Sequence, residues 1–186
     1  MAQTASNVSA SKPPVGGALS RAATGTTLPT DAVTALATGF VGLGYISDAG
    51  VTNARGLSAT DIKAWGGDTV LTTQDSVEDT FSLTLIEATN VDVLKAVYGA
   101  SSVSGALSTG ISVSVNGSDQ AYASWVIDMV LKGSTLKRIV IPSGKITAIE
   151  DITYEDSGAI GYGITITATP DASGNTHYEY IKAAST

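Results

Sequence analysis

The tightest constraint on this chain is strict alternation of apolar with small polar residues. Phe81, Leu83 and Leu85 alternate with Ser82 and Thr84, and Ile111, Val113 and Val115 alternate with serines. Ile160, Tyr162, Ile164, Ile166 and Ala168 alternate with Gly and Thr. Successive side chains of a strand point to opposite faces, so such runs build sheets with one apolar and one wet face. Further strands are expected at 40–46, 61–65, 70–87, 122–131, 136–141, 146–154 and 178–181. Turn residues separate them, including Asn116-Gly117, Pro142-Ser143-Gly144 and Asp171 to Thr176.

One segment departs from this period. Val91, Leu94 and Tyr98 recur at spacings of three and four, with Val93 and Val97 as a second apolar pair. Asn90 is placed to cap a helix and Gly99 to stop it. Two to three turns are too few to stand alone in water, so this helix must pack on a sheet. The fold class that follows is mainly β: a β-sandwich or partial barrel with one flanking α-helix at about residues 90–98.

Residues 1–30 are poor in bulky apolar groups and carry Pro13-Pro14 and Gly16-Gly17. A segment of that composition buries too little to offset its ordering entropy. It reads as a flexible N-terminal arm, removable without loss of folding, ahead of a single β-sandwich domain at 31–186. Asp31 is positioned to cap a short helical turn. Ser47 to Thr60, with Asp48, Gly50, Asn53 and Gly56, reads as a long loop. No basic segment followed by an apolar core marks a secretory signal at the N-terminus, and no apolar run is long enough for a membrane helix.

Composition excludes several chemistries. Cysteine is absent and His177 is the sole histidine, which removes thiolate, disulfide and multi-histidine metal sites. Ten Lys+Arg against seventeen Asp+Glu give a net charge of −7, the wrong sign for gripping phosphates. No G-x-S-x-G elbow, dinucleotide fingerprint or phosphate loop occurs. Asp171 to Asn175 resembles a calcium loop only superficially, because the spacing and the closing Glu are missing. Glu150-Asp151 and Glu155-Asp156 form an acidic run that reads as a solvated face, with a divalent-cation site or the lining of an electronegative passage as alternatives. Lys137-Arg138, near Lys132, is the cationic cluster, suited to a carboxylate patch on a neighbour. Trp65-Gly66-Gly67 is an unusual strand sequence: Trp65 either closes one end of the core or anchors a loop on another subunit.

Taken together, two stretches resemble a known family. Gly44-Tyr45-Ile46-Ser47-Asp48-Ala49-Gly50-Val51-Thr52 leads to Asp61-Ile62-Lys63-Ala64-Trp65-Gly66-Gly67, and Glu78 to Glu87 runs into Asn90 to Gly99. With Leu28-Pro29-Thr30-Asp31-Ala32 upstream, this is similar to the major tail tube proteins of long-tailed, non-contractile bacteriophages, those of actinobacterial phages above all. The resemblance implies a structural virion protein and no enzyme, with no cofactor, metal or membrane. It implies six subunits per ring, rings stacked into a hollow tube, and DNA passing through without specific binding. The implied partners are further copies of the chain, a tape-measure protein and tail terminator and distal tail proteins. Assembly would occur in the host cytoplasm and the product would reside in the virion tail. The implied stacking loop spans 47–70. Assembly candidates are Trp65, Gly66, Gly67, Lys137 and Arg138; candidate lumen-facing acids are Asp75, Glu78, Asp79, Glu150 and Asp151. The competing expectation is an Ig-like adhesion or carbohydrate-binding module, which would be a stable monomer with an exposed aromatic platform.

Overall fold

In the computed structural model, residues 4–183 are described. Eleven strands run in the order β1 (Ser11–Lys12), β2 (Leu19–Ala23), β3 (Val41–Gly42), β4 (Ile46–Lys63), β5 (Thr69–Leu85), β6 (Val103–Ala106), β7 (Gly110–Val113), β8 (Ala123–Leu131), β9 (Leu136–Ile149), β10 (Tyr162–Ala168) and β11 (Tyr178–Lys182). The single α-helix, α1 (Val91–Tyr98), falls between β5 and β6. Strand makes up 49% and helix 9%, all pairing is antiparallel, and the architecture is consistent with a β-sandwich. The main sheet is ordered β3-β2-β8-β9-β10-β5-β4, with β1 beside β8 and β11 beside β9; β6 and β7 form a separate hairpin.

The expected alternation builds the core. Phe81, Leu83 and Leu85 of β5 are buried, as are Tyr162, Ile164, Ile166 and Ala168 of β10. They meet Trp125 and Ile127 of β8, Ile139 and Ile141 of β9 and Leu19 of β2 in one cluster. Helix α1 closes that cluster with Val93, Leu94, Ala96 and Val97. Burial of a Val or Leu side chain contributes about 1.5–3 kcal/mol, which supplies what eight residues of helix lack alone. Asn90 caps the helix as expected, its side chain accepting from the Asp92 N–H at 3.0 Å. Glu87 fixes the cap by accepting from Asn90 Nδ2 and from the Tyr45 N–H.

Four expectations are corrected here. Leu19–Ala23 lies within the span expected to be an arm, yet it pairs with Ala123–Ile127 of β8 and buries Leu19. One bulky core residue, with Ala22 buried on the reverse face, therefore seats a strand that composition hides. Residues 1–3 of the expected arm lie outside the described residues. Pro142-Ser143-Gly144 does not end a strand; β9 runs through it. Ser124 of β8 faces both Pro142 and Ser143 in a register shift, a bulge where Pro loses no ladder bond. There Gly144 is needed, since a Cβ would lie 2.9 Å from Ile166 and 3.1 Å from the Trp125 ring, whose Nε1–H donates to the Gly144 carbonyl. Asp31 caps no helix: it accepts from the Val33 and Thr34 N–H groups in a bend. The fourth correction is the long loop, which is a strand.

Candidate assembly surface

The span expected as a loop, Ser47 to Thr60, is most of β4, paired with β5 to the tip of a long hairpin. The ladder runs from Asn53↔Phe81 through Leu57↔Val77 to Ile62↔Leu71 and Lys63↔Thr69. Every residue from 52 to 78 is exposed, and beyond Arg55 each strand pairs only with the other. At about 3.4 Å per residue, the free part from Gly56 to Lys63 projects about 25 Å. Two-stranded ribbons are marginal in water when neither face is covered. This one carries exposed apolar pairs on both faces. Leu57 and Val77 continue the side that buries Phe81; Ile62 sits five residues beyond Leu57, on the reverse, and its partner Leu71 joins it there because the register shift at Ser58/Ala59 inserts one extra residue in β5.

The tip is Ala64-Trp65-Gly66-Gly67-Asp68. It is closed by the Ala64 N–H on the Asp68 carbonyl and the Gly67 N–H on the Ala64 carbonyl. Gly66 and Gly67 take φ of 117° and 100°, which side-chain-bearing residues rarely adopt. Trp65 has a relative exposure of 107%: none of the described residues covers it. It does not close the core, and of the two alternatives for Trp65 only an outward role fits this placement. Trp125 fills the core position instead.

At the root of the arm sits Asp79, 1% exposed. It is in phase with Phe81, Leu83 and Leu85 and points to the interior, so it faces no lumen. Its carboxylate accepts from Asn53 Nδ2 at 2.8 Å, Thr176 Oγ1 at 2.6 Å and His177 Nδ1 at 2.5 Å. Burial alone pushes this carboxyl up. The hydrogen bonds from Thr176, Asn53 and His177, with the His177 charge, win and hold it below the usual carboxylate range. The His177 ring also meets Phe81 edge-on at 5.3 Å. The sole histidine thus ties the segment before β11 to the arm's root.

The other expected residues separate. Asp75 and Glu78 are exposed on the arm, and Asp75 accepts from Thr60 Oγ1 at 2.7 Å. Glu150 and Asp151 are exposed just beyond β9, on a different part of the subunit. Lys137 pairs with Glu179 of β11 at 2.9 Å. Arg138 is buried, donates to Asp128 at 2.6 and 3.3 Å, and binds the Asp31 and Thr34 carbonyls through Nη1. Arg138 is therefore an internal clamp on the 31–34 bend and is not presented to a neighbour. Asp171 organises its turn, accepting from the Ser173 and Asn175 N–H groups and from the Tyr178 hydroxyl. Among the described residues no cluster of three or more metal-ligating side chains occurs, and no helix is long and apolar enough to cross a membrane.

A β-rich body with a long, solvated, aromatic-tipped ribbon defines a subunit made to contact other chains. The family described as phage tail tube protein matches residues 4–185, nearly the whole chain, and the protein belongs to that family. No curated protein matches it. Membership makes it a structural protein of the virion tail that self-assembles into the tube.

Proposed function

We propose that six copies close into a ring and that rings stack into the hollow tube of a non-contractile tail. Genome DNA then passes through the bore to the host, and the subunit performs no catalysis. The observation that carries this reading is the arm, a ribbon exposed from 52 to 78 that its own body leaves uncovered. The sheet also ends on β4 at one margin and on two-residue β3 at the other, and unpaired edges favour further pairing. Closure across subunits removes such edges. The net charge of −7 suits a conduit for a polyanion, since cations along a bore would grip phosphates. Of the candidate lumen acids, Asp75, Glu78, Glu150 and Asp151 are accessible for that role. Tape-measure, terminator and distal tail proteins are the partners such a tube requires, with assembly in the host cytoplasm.

Negative-stain microscopy of the purified chain at rising concentration tests the reading. Rings with six-fold end views and stacked tubes are expected. Discrete monomers under every condition would overturn it, and would return the Ig-like module as the better account.

A further inference from the structure

Arg21 lies on the core-facing side of β2, directly opposite Trp125, with its guanidinium 5.4 Å from that ring. It makes no salt bridge or side-chain hydrogen bond among the described residues, and its Nε is both buried and unpartnered. Every other well-buried charge here is satisfied: Asp79 by three donors, Arg138 by a carboxylate and two carbonyls. An unpaired, half-buried guanidinium is costly and calls for an acceptor. Two cavities flank it. One, of about 300 Å³, is walled by Ala22, Val41, Leu43 and Tyr122 and edged by Lys95 and Asp92. The other, of about 270 Å³, carries Asp119, which is already engaged by Lys145.

We infer that the cavity between Arg21, Lys95 and Tyr122 receives the arm tip of a second copy, with Asp68 meeting Arg21 and Trp65 lying on the apolar wall. This deepens the proposed self-assembly and rests on it. Charge complementarity selects the occupant. Between residues 54 and 78 the arm carries Asp61, Asp68, Asp75 and Glu78 against Arg55 and Lys63. Asp61 and Asp75 are held by Thr72 and Thr60 across the ribbon, whereas Asp68 has no side-chain bond among the described residues and stands three residues from Trp65. A tip that offers one carboxylate beside one indole matches a cavity that offers one guanidinium beside an apolar wall. Two larger grooves are rival receptors: one of about 520 Å³, lined by Tyr98, Tyr154 and Tyr162, has no cation to take Asp68, and one of about 410 Å³ offers Lys12 and Lys132, whose exposed ammonium groups are already solvated and gain less from a carboxylate than the buried Arg21 Nε does.

The test is a double-mutant cycle on the critical concentration for tube formation, using Arg21→Met and Asp68→Asn. Each single change is expected to raise that concentration about tenfold, as for a desolvated interfacial pair, and the double variant no further. Met replaces an unpaired buried cation with apolar volume, so the monomer should melt no lower than wild type while assembly weakens. A merely structural arginine would move both together. The cysteine-free chain allows a second readout if Arg21→Met fails to fold. Ala64→Cys with Ala100→Cys, on the cavity rim, should give disulfide-linked multimers, and Ala64→Cys with Val115→Cys, on the tyrosine-lined rival groove, should not. Additive effects in the cycle, or cross-linking through position 115 alone, would overturn the inference and leave self-assembly standing. A wild-type chain that never assembles would overturn both.

Discussion

Asp79→Ala is the sharpest test of how the arm is anchored. The substitution removes the acceptor of three hydrogen bonds at the point where the ribbon leaves the body. Hydrogen bonds to a charged group contribute about 1.5–3 kcal/mol each. Asn53 is exposed and Thr176 and His177 only half-buried, so water recovers part of that loss, and a net cost of about 2–3 kcal/mol is expected. For a chain of this size that lowers Tm by about 5–10 °C. Thermal and urea unfolding followed by circular dichroism would measure it, with Glu78→Ala as the neighbouring exposed control, expected within about 0.5 kcal/mol of wild type. Asp79→Asn adds the pH dimension. The folded carboxyl titrates below its unfolded value of about 3.9, so its stabilising contribution is full above that value. The contribution is lost as pH falls through the lowered folded pKa. The stability gap between wild type and Asp79→Asn should therefore close as pH falls below about 4, through the lowered folded pKa. An Asp79→Ala variant as stable as Glu78→Ala, or a gap unchanged down to acid, would refute the buried-anchor reasoning.

Arg138→Met should cost about 2–4 kcal/mol, because it strands Asp128 and frees the 31–34 bend; urea unfolding would show it, and a neutral result would return Arg138 to the list of interface residues. Removal of residues 2–10 should leave unfolding almost unchanged, whereas removal of 2–30 takes out β2 with Leu19 and should abolish cooperative unfolding in calorimetry. Asp31 should titrate at about 2, held down by the Thr34 hydroxyl and the Thr34 and Val33 N–H groups, and Thr34→Val should raise it in carboxyl-carbon NMR. Trp65→Phe should leave the monomer's Tm unchanged; in wild type the emission of the exposed Trp65 should shift to the blue on assembly, and an unchanged spectrum would mean the tip stays wet.

Sequence periodicity reports one-sided burial, and that explains which elements it revealed. Strands β5, β7 and β10 each have a face on the core, so Phe81, Leu83, Leu85 and Ile164, Ile166 stand out against Ser and Thr. Helix α1 announced itself through Asn90, Gly99 and spacings of three and four. β4 did not, because beyond Asn53 every residue is exposed and neither face of the strand is buried. With both sides wet, Gly56 can occupy the strand, and Asp48 and Gly50 fall in the irregular stretch between Ile46 and Val51, so loop composition is the result. β2 was hidden for the opposite reason: it is buried among larger neighbours and needs little bulk of its own. Asp79 was legible and passed over. It sits two residues before Phe81, in phase with the core face, which separates it from Glu78 beside it. Arg21 had a weaker signal of the same kind, two residues beyond Leu19 and on its face.

The same physics links the hidden strand to the function. A ribbon with two wet faces has no preferred register from burial, and β4 and β5 shift register at Ser58/Ala59 and Ile62/Lys63, yet they stay paired to the tip, aided by side-chain bonds such as Thr60 to Asp75 and Thr72 to Asp61. Those bonds are exposed and each contributes little in water. Covering either face with another chain would desolvate them together with Leu57, Val77, Ile62 and Leu71, and turn a marginal hairpin into part of a packed layer. A subunit whose arm is only loosely held until it meets a neighbour stays soluble while free and stiffens as the polymer grows. Amide hydrogen exchange separates this from an arm that is rigid from the start: protection at 54–78 should rise sharply on assembly while β8 and β10 change little, and equal protection of the arm in free and assembled protein would show that the ribbon needs no partner.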